Sequence, residues 1–187
     1  MSSVTAKELV LSKLAEGIPA LSPAVGKTMA EACAVCLDNQ KHKKGVELNV
    51  ELREDTSSTH TFTLKDWEDV TDLLKRCWND LPYTTEQAAY GIAILLICEL
   101  TEFTAIERAK KGTGFDYWLG KKEFEEDLPF KREARLEVSG ILLGSKALVE
   151  NRMKIKLKQT IPSDGTALPA YTVVVEFSQP ISQVVKK

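Results

Sequence analysis

The chain has 187 residues, 43% apolar and 28% charged, which is enough apolar material to bury a core and excludes a disordered polar chain. Its 25 basic and 27 acidic residues leave a net charge of −2, which excludes a globally basic nucleic-acid wrapper but not a local basic groove. The longest apolar run, residues 88–98, falls well short of the roughly 20 residues of a membrane span. Residues 1–8 are polar and mixed, without the basic-then-apolar order of a signal peptide, so a cytoplasmic protein with no membrane partner is expected.

In chain order, Leu9, Leu11, Leu14 and Ala15 predict a short helix from Thr5, closed by Gly17 and Pro19. Ser22 followed by Pro23 predicts a capped helix to about Asn39. Strict alternation of Val46, Leu48, Val50 and Leu52 marks a strand, with residues 61–64 returning to form a hairpin. Residues 65–78 carry Trp67, Val70, Leu73, Leu74, Cys77 and Trp78 at helical spacing. A long central helix is expected from Thr84 or Thr85 to about Lys111, stopped by Gly112. Strands follow at 115–119 and 134–141, separated by a charged excursion over 121–131. Then come a helix over 145–159, a loop over 161–169, a β-branched buried strand over 171–177 and an edge strand over 181–185. The expected class is α/β of the α+β kind, a mixed central sheet flanked by helices. It is read as one domain over residues 1–187, with a helical and hairpin part over 1–83.

Cys33, Cys36, Cys77 and Cys98 all fall in helical patterns, where a free thiol packs as a small apolar group. Zinc would need a second ligand pair, for which His42 and Cys77 are the available residues. Only two histidines occur, so histidine-based catalysis has little support.

Three acids stand out. Glu99 interrupts the apolar stripe Ile92, Leu95, Leu96, Phe103, Ile106, so it is expected within a buried seam, either in an ion pair or facing a crevice, with Glu102 able to share the site. Asp116 follows the Gly112–Thr113–Gly114 turn at the start of a strand, as a turn cap or a functional acid. Glu137 shares one strand face with Arg135 and Ser139, either in a site or in a solvent-facing row. Tyr117 and Trp118 can stack on bases or pack. In the following helix Lys154 and Lys158 share a face, and with Lys146, Arg152 and Lys156 they form a basic strip suited to phosphates or simply to solvent.

An acid on a long helix, an aspartate at a strand start and a glutamate two residues before a polar side chain resemble the PD-(D/E)XK nuclease superfamily, over roughly residues 84–178. The resemblance implies a restriction-endonuclease-like αβββαβ core. It implies that Asp116 and Glu137 hold magnesium (or manganese), with Glu99 as the helix acid, and that DNA is the substrate. The motif departs at two places: Phe115 stands where the family has proline, and Ser139 stands at the lysine position. Lys146, Lys154 or Lys156 could replace that lysine, Lys154 being taken as the catalytic one. Lys146, Arg152, Lys156 and Lys158 are then the nucleic-acid contacts. A bacterial host and a role in defence against foreign DNA are further implications.

Two functions follow as expectations. One is a metal-dependent phosphodiesterase acting on DNA. The other is a non-catalytic α/β protein that keeps the scaffold and binds a protein partner or a second copy of itself, with its acids paired to arginines such as Arg108 or Arg135 and with Trp67 and Trp78 as core or interface anchors.

Overall fold

The computed structural model describes residues 7–123 and 130–187. Eight strands form one mixed sheet: β1 (Lys7–Val10), β2 (Glu47–Arg53), β3 (Ser57–Lys65), β4 (Phe103–Arg108), β5 (Tyr117–Lys121), β6 (Ala134–Ile141), β7 (Ala170–Glu176) and β8 (Ile181–Lys186). Their spatial order is β1-β3-β2-β8-β7-β6-β5-β4. Pairs β1–β3, β2–β8 and β6–β7 are parallel and the rest antiparallel. The helices are α1 (Pro23–Asn39), α2 (Asp72–Cys77), α3 (Leu81–Leu100) and α4 (Lys146–Gln159). From α3 to β7 the elements run helix, three strands, helix, strand.

Strand alternation sorts the core into two layers. Val138, Val173 and Val175 point to the face covered by α3, on which α1 packs, and join the main core. Ile141 and Val174 point to the other face, where Val149 and Met153 of α4 meet them. Trp67 and Trp78 both lie in the main core.

The hairpin β2–β3, α1 with its Ser22 cap, α4 with its Ser145 cap, β6 and β7 follow the sequence pattern closely. Five expectations need correction. The expected first helix is instead β1 followed by a 3-10 turn, Leu11–Glu16, because Lys7 to Val10 pair with β3. Its expected start, Thr5, and most of the charged 121–131 excursion lie outside the described residues. Residues 65–78 contain only the short α2, since Asp66 adopts a positive φ and Thr71 supplies a late cap. The central helix starts earlier, capped by Asp80, and ends at Leu100 rather than 111. Thr101 stops it: its hydroxyl donates to the Ile97 carbonyl and accepts from the Phe103 amide, turning the chain into β4. Residues 161–169 include a 3-10 turn, Ile161–Thr166. Finally, β8 is interior, between β2 and β7, not an edge strand.

No helix among the described residues is long and apolar enough to cross a membrane.

Candidate functional site

β5 and β6 pair over only three residues, Tyr117 to Leu119 against Leu136 to Ala134. One step further the Asp116 amide still donates to the Leu136 carbonyl, at 2.8 Å. There the strands part. The ladder is replaced by a side chain: Asp116 Oδ2 accepts from the Val138 amide at 2.9 Å. Its own amide and that of Val138 on β6 therefore fix Asp116 at the mouth of a gap in the sheet.

Glu137 lies beside it on the α4 face of β6. The residue is 5% exposed, and its Oε1 accepts from Lys156 Nζ at 2.7 Å. Burial pushes its carboxyl up to about 7, the neighbouring Asp116 charge adds to the rise, and the Lys156 ammonium opposes it. Beside this pair, Arg152 donates to Ser139 Oγ at 2.9 Å. Arg135, Glu137 and Ser139 do share a face, but α4 and the 3-10 turn after it cover that face, so it is not a solvent-facing row. Arg135 reaches Ser163, Asp164 and the carbonyls of Thr160 and Leu168, not Glu137.

From the opposite layer, Tyr90 of α3 reaches the same point. Its hydroxyl is 3.0 Å from Asp116 Oδ1 and 2.8 Å from Glu86 Oε1. A phenol carries one proton and cannot donate to both carboxylates at once. Burial and the adjacent acids keep that proton on the phenol by raising its pKa. Arg108 at the end of β4 lies 4.3 Å from the Tyr90 ring centroid and 4.7 Å from that of Tyr117. It donates to the Tyr117 hydroxyl at 2.7 Å and approaches Asp116 Oδ1 at 4.0 Å.

A cleft of about 670 Å³ opens over Glu86, Tyr90, Arg108, Asp116, Glu137 and Gln159. A second, of about 680 Å³, shares Glu86 and is lined by Thr85, Ser139, Arg152, Lys156 and the aliphatic residues Pro82 and Leu143. The Asp116–Glu137–Lys156 group thus sits where two clefts meet.

Of the expected site residues, Asp116, Glu137, Lys156 and Arg152 converge here. Glu99 does not. It is exposed in the last turn of α3, about 20 Å along the helix from Glu86, because that helix is rotated and ends differently than its apolar stripe suggests. Lys154 and Lys158 also fall elsewhere. Helical geometry places Met153 and Lys156 against the sheet and turns Lys154 and Lys158 towards solvent, where both are exposed. Lys146 is exposed at the start of α4, near enough to influence Glu51 on β2. Tyr117 and Trp118 pack, Tyr117 edge-on to Tyr90 and Trp118 edge-on to Phe115. Cys33 and Cys36 are buried thiols in the main core, and burial pushes the Cys36 thiol up to about 12.

Glu86 and Tyr90 escaped sequence reading. The Glu86–Tyr90 spacing of four residues was a usable signal. Arg108, expected as an arginine partner of the acids, does approach Asp116, but from the end of a strand where a helix is expected, as Phe103, Thr104 and Ile106 favour β structure.

Among the described residues, no three His, Cys, Asp or Glu side chains group closely enough to hold an ion by themselves. A hard cation such as magnesium needs only one or two carboxylates when waters and substrate phosphate complete its shell, and Asp116 and Glu137 are the neighbouring carboxyls that could hold one. No protein family, no curated protein and no solved structure matches the chain.

Proposed function

We propose that the protein is a magnesium-dependent phosphodiesterase acting on DNA, related in architecture to the PD-(D/E)XK nucleases. The observation that carries this reading is the convergence of Asp116 and Glu137, one on each side of the gap between β5 and β6, with a lysine on Glu137. The helix, three-strand, helix, strand order from α3 to β7 supports it.

Asp116 and Glu137 would hold the cation. When bound, it would neutralise phosphate charge and lower the pKa of an attacking water. Lys156 takes the place of the lysine that the motif lacks at Ser139. Its ammonium lies at the buried carboxylate, in position to orient a water or phosphate oxygen. Glu86 takes the place expected above for Glu99 as the helix acid, within reach of the Tyr90 hydroxyl. Tyr90 holds Asp116 from one side and the Val138 amide holds it from the other, so the acid is oriented before any ligand arrives.

The test is cleavage of a labelled DNA in magnesium or manganese. Wild type should cut and chelator should stop it. Glu137→Gln and Lys156→Gln should each lower the rate at least about a hundredfold. Cleavage that survives in both variants would discard this site.

A non-catalytic protein that binds a partner is the second reading. The approach of Arg108 to Asp116 favours it, because a structural ion pair would look the same. A well-folded wild type without cleavage in either metal would support it.

A further inference from the structure

We propose that Arg108, Lys110 and Lys111 form a phosphate-binding subsite that holds the nucleic-acid strand next to the phosphodiester at Asp116 and Glu137. This rests on the nuclease reading above. It moves the strand away from the basic face of α4 and onto the turn between β4 and β5.

Three observations carry it. First, all three cations line the cleft that contains Asp116 and Glu137, whereas Lys154 and Lys158 do not. Second, Arg108 is already ordered for an anion. Two tyrosine faces and the Tyr117 hydroxyl hold its guanidinium, yet the side chain remains about half exposed. A fork fixed in advance loses little entropy when it takes a phosphate. Third, the turn that carries the lysines is built. The Ala109 amide donates to the Asp116 carbonyl at 2.8 Å, and the Thr113 hydroxyl donates to the Lys110 carbonyl at 2.9 Å, with the Phe115 carbonyl also in reach. Gly114 has φ 84° and presses against the end of α4, where a Cβ would lie 2.4 Å from the Gln159 carbonyl oxygen. Lys110 and Lys111 are exposed, and neither is in an ion pair among the described residues. Their charge is therefore available at the cleft mouth.

The test is binding of a fluorescein-labelled oligodeoxynucleotide, single-stranded and duplex, followed by anisotropy in calcium over a range of salt. Manganese binding is titrated alongside for each variant. Lys110→Ala/Lys111→Ala should weaken binding about tenfold near physiological salt and lower the salt slope by about two, with manganese binding unchanged. Lys154→Ala/Lys158→Ala should leave the slope in place. Arg108→Lys, which keeps the charge and loses the fork, should weaken binding with the slope retained. If the α4 pair carries the slope instead, the subsite is overturned and the nuclease reading stands. Wild type that binds manganese and no oligonucleotide overturns the subsite and DNA as the substrate, and leaves only the metal site. Wild type that binds neither overturns both.

Discussion

Glu137 is an acid held against its own solvation. Burial favours its neutral form and Asp116 does the same, while Lys156 alone favours the charge. Its carboxyl, pushed up to about 7, binds a proton in the folded chain at pH values where the unfolded chain has released it. Stability from this group is therefore present at low pH and falls as pH rises from the ordinary glutamate range to about 7. Glu137→Gln, a fixed mimic of the neutral form, should gain on wild type across that window and hold a constant difference above it. Denaturation midpoints at pH 5 and pH 8 measure this, and an equal difference at both would contradict the assignment. Tyr90→Phe removes the one hydroxyl shared by Asp116 and Glu86 and should cost about 1–2 kcal/mol, seen as a lower denaturant midpoint with the slope unchanged. Asp116 and Glu137 were legible in the sequence because their signals are local, a glycine turn and a strand alternation. Lys156 was one of several lysines until its helix was docked, and Arg108 meets Asp116 only through the pairing of β4 with β5.

The elements set the site by close approach. Gly140 of β6 lies under the first turns of α3, where a Cβ would fall 2.5 Å from the Thr85 carbonyl oxygen and 3.0 Å from the Ala89 Cβ. That contact brings Glu86 and Tyr90 over β6. Gly140→Ala must push α3 outward, and a loss of about 2 kcal/mol is expected together with weaker metal binding. An unchanged melting temperature would show that the helix can yield there at no cost. Helix and strand identities were readable where one pattern dominated, as with alternation in β2, helical spacing in α1 and a β-branched run in β7. They failed at residues 101–108, where the helix-spaced apolar stripe runs on through Phe103 and Ile106 while a threonine hydroxyl ends the helix. A helix period cannot register that event, because it depends on hydrogen bonds and not on hydrophobicity.

At the scale of the whole molecule, one sheet joins the two halves of the chain. β2 from the first half and β7 from the second both pair with β8. Ser182 and Val184 of that strand are buried, and Ser182 Oγ donates to the Val174 carbonyl. Removing residues 181–187 should therefore abolish cooperative unfolding, whereas loss of a true edge strand would only lower the midpoint. The sequence could not reveal this, because strand order is set by long-range pairing and a short final β-branched run looks the same at an edge as in the middle. The sheet also explains why the site lies where it does. β5 and β6 diverge at Asp116, and the helices on the two faces deliver Tyr90 from one side and Lys156 from the other. The most direct measurement is a calorimetric titration of manganese into wild type and into Asp116→Ala/Glu137→Ala, with the fold of each checked by thermal unfolding. Wild type should bind manganese, more tightly as pH rises towards 7, and the double variant should not. A folded wild type that binds no manganese, or a double variant that binds as well as wild type, would contradict it.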